Sequence, residues 1–171
     1  MTEGPQLSTD APVLAAVDFS EDSRAALIWG AEYASRIDTP LVVLHVLHDP
    51  LDDPGFSRKD NKDPSTPMAD IAADMLQQFV ADSLQERPDL TILGRALLRL
   101  VKGVPSNRIL EVAADIEAQH IVLGRKGRSN LKELVVGSTT RAVTQKSPLP
   151  VTSLRAPVSE PVADISDGET E

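Results

Sequence analysis

Apolar residues along the chain fall into short continuous runs that alternate with longer stretches of helical spacing. Val13 to Val17 is an apolar run closed by Asp18, and Ser20 is then placed to cap a helix whose first turn holds Glu21 and Asp22. Leu27, Ile28, Ala31 and Ala34 recur at helical spacing and carry that helix to about Ile37. Leu41 to Leu47 is again almost wholly apolar and rich in Val and Leu, the pattern of a strand covered on both faces. From His48 to Ser65 the pattern lapses into Asp, Pro, Gly and Lys, with Pro50, Pro54 and Pro64 interrupting any regular element, which predicts a long surface loop.

Thr66 and Pro67 then read as the N-cap and first residue of a second helix ending near Arg87, with Met68, Ile71, Met75, Phe79 and Val80 on the face that packs on a sheet. Thr91 to Val101 predicts an extended segment, Gly103 to Ser106 a turn, and Ile109, Val112, Ala113 and Ile116 the stripe of a third helix. His120 to Leu123 forms a fourth strand. A glycine-bearing stretch follows, then a short helix from about Ser138 to Gln145, the Ser147-Pro148 break and a last strand near Pro150 to Leu154. Strands alternating with helices predict an α/β fold, a single parallel, doubly wound sheet with helices on both faces.

Length and composition narrow the possibilities. A chain of 171 residues makes about one domain, and an aromatic fraction of 3% beside 41% hydrophobic residues requires an aliphatic core. The net charge of -9 argues against a general binder of nucleic acid or anionic membrane. Glu160, Asp164, Asp167, Glu169 and Glu171 follow Arg155 with no Lys or Arg among them, leaving -4 for the rest. This places a domain at 13–155 between a flexible segment at 1–12 and a disordered acidic tail at 156–171. The absence of cysteine excludes disulfides, thiolate-bound zinc and thiol catalysis. Met1 to Pro12 has neither a basic residue nor an apolar run suited to a signal peptide, and no later segment approaches the ~20 apolar residues of a membrane span. The expected location is cytoplasmic.

In an open parallel sheet ligands bind where strands end and the winding reverses, so the residues leaving each strand are the candidates. Gly124-Arg125-Lys126-Gly127 leaves the fourth strand, and Gly137-Ser138 opens the next helix. That arrangement suits a polyphosphate. Gly124 and Gly127 are expected to turn with positive φ and approach a phosphate, Arg125 and Lys126 add charge, and the helix N-terminus with Ser138, Thr139 and Thr140 supplies N-H and hydroxyl donors. Arg128 and Lys132 extend the basic cluster. Spacing alone also fits ordinary turn and cap glycines, and Asp18 also fits as the neighbour of a helix cap.

Other chemistry finds little support. His45, His48 and His120 never pair at i, i+4 around an acid, so no metal site of the zinc-hydrolase kind is expected, and His45 reads as a core or edge histidine. Trp29 and the Met68, Met75 and Phe79 face read as packing. The P-loop pattern, dinucleotide glycines and a nucleophile-and-base pair are all missing, so no catalytic residue is assigned.

The segment LGRKGRSNLKELVVGSTT, from Leu123 to Thr140, resembles the nucleotide loop of universal stress proteins, with the pattern G-x2-G-x9-G-(S/T). AVDFSEDSRAAL and LVVLHV look like the first strand, first helix and second strand of that family, and the resemblance runs from about Val13 to Arg155. It implies an open sheet of strand order 3-2-1-4-5, Rossmann-like and akin to the adenine nucleotide alpha hydrolases. It also implies membership of the ATP-binding branch, with magnesium accompanying the triphosphate. The implied ligand residues are Val17, Asp18, Phe19 and Ser20 after the first strand and Val46 near the end of the second. Leu123, Gly124, Arg125, Lys126, Gly127, Gly137, Ser138, Thr139 and Thr140 complete the set. Asp18 and Val46 would contact adenine, with Val17 and Phe19 flanking the base. Lys126 stands where some relatives have histidine. The family commonly dimerises through the last strand, here Pro150 to Leu154, where Thr152 and Ser153 are more polar than usual. The function implied is that of a nucleotide-loaded regulator in stress response acting on a protein client. A slow ATPase or phosphotransfer enzyme, and a dimeric interaction protein that binds no nucleotide, remain the alternatives.

Overall fold

The computed structural model describes residues 11–48, 67–127 and 136–157. The expected loop up to Ser65 beyond His48, the Thr66 cap, the basic side chains at 128 and 132, and the tail from residue 158 onward lie outside these residues. Five parallel strands make one sheet: β1 (Val13–Ala16), β2 (Leu41–His48), β3 (Leu97–Gly103), β4 (His120–Gly124) and β5 (Val151–Leu154). Their order is β3-β2-β1-β4-β5, as the resemblance implies. The connecting helices are α1 (Glu21–Arg36), α2 (Pro67–Glu86), α3 (Pro105–Asp115) and α4 (Ser138–Lys146).

The central strand shows why the sheet is covered on both faces. All four β1 residues are buried, and their alternating side chains serve two cores. Val13 and Ala15 join Ala26, Leu27, Leu76 and Phe79 beneath α1 and α2, whereas Leu14 and Ala16 join Ile109, Val112, Ile121 and Val143 beneath α3 and α4. Ala16 pairs with Leu44 on one side and Leu123 on the other, so β1 ends almost level with β4, whereas β2 continues to His48. The chain winds from β1 outward to β3 and then crosses back to β4, which puts the reversal between β1 and β4.

Two expectations are corrected. Thr91 to Val101 is not one extended segment, because Thr91–Arg95 forms a 3-10 turn before β3 begins at Leu97. Ile92 and Leu93 are adjacent and both join the core on the α1 and α2 side, whereas a strand would send them to opposite faces. The expected turn from Gly103 to Ser106 shrinks likewise: Gly103 closes β3 with φ 136°, and Pro105 already opens α3.

The face of α2 is also divided. Ala72, Leu76, Phe79 and Val80 are buried, but Met68, Ile71 and Met75 are 67%, 58% and 39% exposed and do not pack on the sheet. Trp29 is partly buried and stacks on Tyr33 with ring centroids 5.2 Å apart.

Candidate functional site

A crevice of about 550 Å³ opens at the carboxyl ends of β1, β2 and β4, where the strand order reverses. The residues leaving β1 and β4 there meet the carboxyl half of β2. Val17, Asp18 and Phe19 come from β1, His45, Val46 and Leu47 from β2, and Leu123, Gly124, Lys126 and Gly127 from β4. Gly137, Ser138, Thr139 and Thr140 close one side, and Met68, Ile71, Ala72 and Met75 of α2 form an apolar wall. Twelve of the residues expected from sequence therefore line one space. Ser20 and Arg125 lie beside it instead.

Asp18 occupies the centre of the local hydrogen bonding. Its Oδ1 accepts from the Ser20 amide at 3.1 Å and from the Ser20 hydroxyl at 2.5 Å, and Ser20 Oγ in turn accepts from the Ser23 amide at 3.2 Å as the α1 cap. The expected cap-neighbour role is thus real and uses one carboxylate oxygen. The other, Oδ2, lies against Gly127. Phe19 is held at φ 66°, a left-handed conformation uncommon for an aromatic residue, and its ring packs 4.3 Å from His45 and edge-on to Phe79. His45 Nδ1 is 2.8 Å from the Val17 carbonyl; since a carbonyl only accepts, Nδ1 carries the proton. His45 is thus a satisfied ring, but it also lines the crevice.

The glycines serve a purpose different from the expected one. Among the described glycines the left-handed φ belongs to Gly103, not to Gly124 or Gly127. A Cβ on Gly124 would meet the Ser23 amide nitrogen at 2.8 Å and the Asp22 carbonyl carbon at 2.9 Å, and one on Gly127 would meet Asp18 Oδ2 at 2.7 Å. Close packing of the β4 exit loop on the start of α1 at Gly124 and on Asp18 at Gly127, rather than backbone handedness, excludes side chains there.

That loop is also tied to α4. The Gly137 amide donates to the Arg125 carbonyl at 2.9 Å, and the buried Thr140 hydroxyl donates to the Gly124 carbonyl at 2.7 Å. Gly137 caps α4 without a side-chain hydrogen bond, so the first-turn amides of α4 stand beside the crevice with no side-chain acceptor from the cap residue. Apolar walls, a helix N-terminus and a lysine in one cleft suit a ligand with a flat apolar part and an anionic part. Sequence reasoning missed Asp22, whose carboxylate accepts from the Lys126 amide at 3.1 Å and the Ala156 amide at 2.8 Å. An acid in the first turn of a helix looks like a dipole partner, and only the folded chain brings residues 126 and 156 to it.

Fold and site together define a Rossmann-like α/β protein with an anion-suited crevice at its switch point. The profile of the universal stress protein family matches residues 11–155, and the chain belongs to that family. The stress response protein NhaX of Bacillus subtilis is 27% identical over 165 residues, covering 81% of this chain and 94% of that protein. Universal stress protein MJ0577 of Methanocaldococcus jannaschii is 40% identical over 52 residues, a match spanning 32% of its length. Among solved structures, universal stress protein UspA from Lactobacillus plantarum superposes with a TM-score of 0.61 at 23% identity, covering 85% of this chain and 97% of that one. A universal stress protein from Archaeoglobus fulgidus solved with dAMP superposes at 0.57 with 24% identity, covering 86% of this chain and 100% of that one.

Proposed function

We propose that the protein is a cytoplasmic, nucleotide-loaded regulator that holds ATP in the crevice. One observation carries this: the first turn of α4, with no side-chain cap, and the Gly124–Gly127 loop line the same cleft as the apolar side chains Met68, Ile71 and Met75. The phosphates take the amides at the start of α4 together with Lys126, and the base takes the space bounded by Val17, Asp18, Phe19 and Val46. A relative of the same fold was solved with dAMP and another with cAMP, which supports an adenine nucleotide as the ligand class.

The described residues contain no cluster of three His, Asp or Glu side chains suited to a metal ion. Magnesium therefore fits here as an ion carried on the phosphates and water, its usual mode with triphosphates, with Asp18 as the acid nearest Gly127. None of the helices among the described residues is long and apolar enough to cross a membrane. β5 lies at one edge of the sheet with Val151, Thr152 and Leu154 partly covered and Ser153 exposed, which supports pairing of two copies through that edge.

The test is mass spectrometry of small molecules released from freshly purified protein, with calorimetric titration of ATP and magnesium into the emptied form. Co-purified ATP, or binding weakened in Gly127→Val and Asp18→Ala while both variants stay folded, is the expected result. Absence of nucleotide and of binding heat would favour a nucleotide-independent interaction protein, and steady release of ADP from added ATP would favour a slow ATPase.

A further inference from the structure

The four-residue turn leaving β4 has its backbone polar atoms taken up almost one by one. The Gly124 carbonyl accepts from Thr140 Oγ1, the Arg125 amide donates to the Leu154 carbonyl at 2.7 Å, and the Arg125 carbonyl accepts from the Gly137 amide. The Lys126 carbonyl lies 3.4 Å from the Ser20 hydroxyl oxygen, a long contact, since that hydroxyl's one proton goes to Asp18. The Lys126 amide donates to Asp22 Oδ2 at 3.1 Å. The next amide, Gly127 N, has no hydrogen-bond partner among the described residues.

Asp22 differs from the other partners. Its second oxygen accepts from the Ala156 amide at 2.8 Å, so one carboxylate joins the start of α1 to the β4 exit and to the chain just past β5. Its Cβ also lies 3.0 Å from where a Cβ of Gly124 would stand, which keeps the turn pressed on the helix. A negative charge beside a polyphosphate opposes binding through space. The carboxylate therefore helps an anionic ligand only by fixing the turn, leaving the Gly127 amide and the start of α4 preorganised.

From this arrangement we infer that Asp22 is a positioning residue for the anion-binding turn, holding Lys126 and Gly127 in place without touching the ligand. The inference rests on the crevice being a nucleotide site, but the clamp itself is measurable without any ligand. In the full chain, amide hydrogen exchange followed by NMR is expected to show the Lys126 amide protected in the wild type and exchanging at least tenfold faster in Asp22→Ala. ATP affinity should fall about tenfold in that variant while adenosine affinity stays within twofold, because adenosine lacks the phosphates the turn would receive. Asp22→Glu, which keeps the charge but lengthens the arm, should also lose ATP affinity, separating geometry from charge.

Unchanged Lys126 exchange would overturn the clamp. Equal weakening of ATP and adenosine in Asp22→Ala would reduce Asp22 to a structural residue, and a gain in ATP affinity would show that its charge outweighs its geometry. A wild type that binds neither ligand, with Lys126 exchange still dependent on Asp22, would sink the nucleotide proposal while leaving the clamp intact.

Discussion

A methyl group on Gly127 would stand 2.7 Å from Oδ2 of Asp18, closer than any carbon and carboxylate oxygen tolerate. The exit turn of β4 and the exit residue of β1 thus share one space, and a side chain at either position is felt at the other. Gly127→Ala should weaken ATP binding about tenfold, or roughly 1.4 kcal/mol. In an Asp18→Ala background the added cost should largely vanish, since the colliding oxygen is gone. Calorimetry on the four proteins of that cycle checks this, and strictly additive losses would show that the two residues act separately.

Gly124 faces a harder obstacle, because the atoms a Cβ would meet at 2.8 and 2.9 Å belong to the backbone of Ser23 and Asp22. Backbone at the start of a helix yields less readily than a carboxylate. Gly124→Ala should therefore destabilise the fold by about 1–3 kcal/mol, read as a lower urea midpoint at unchanged slope. A midpoint equal to the wild type would mean that α1 shifts freely against β4.

Thr140 tests the tie between α4 and the turn. Its hydroxyl is buried and donates to the Gly124 carbonyl at 2.7 Å. Thr140→Val keeps the shape but leaves that carbonyl without its partner, at a cost of about 1–3 kcal/mol. Chemical denaturation should record the loss, and an unchanged midpoint would show that another donor replaces the hydroxyl.

The His120 ring, partly buried against Trp29 and Tyr33 with Nε2 2.7 Å from Thr152 Oγ1, has its pKa pushed below the ordinary 6.5 by desolvation. A depressed histidine pKa favours the neutral ring in the fold, so its contribution is complete above pH 6.5. Below that value the unfolded chain takes up the proton first, and stability falls until the pH passes the folded pKa. Urea midpoints measured between about pH 7.5 and 5 should decline in the wild type and decline less in His120→Gln. Parallel curves would assign the slope to other groups.

Much of this architecture was legible from pattern alone. Each strand or helix marked by an unbroken apolar run or a clear stripe formed close to its expected bounds, because burial on one or both faces dictates such patterns. The 3-10 turn at Thr91–Arg95 escaped because a short run such as Thr91-Ile92-Leu93 carries no period, and only the space beneath α2 decides its shape. Met68, Ile71 and Met75 kept helical spacing yet line the crevice, since spacing reports a common face and not what that face meets. Gly124 and Gly127 line the crevice, but the reason for glycine there is a tertiary contact invisible along the chain. Asp22 was hidden for the same cause, as its two acceptors' partners lie 104 and 134 residues away.

The alternation along β1 assigns Val13 to Ala15 to the two cores alone, whereas Ala16 and Val17 belong to a core and line the crevice as well. The floor of the cleft is therefore made of the same side chains that hold the sheet together, and a substitution at either position alters the shape of the site and the packing of the domain at once.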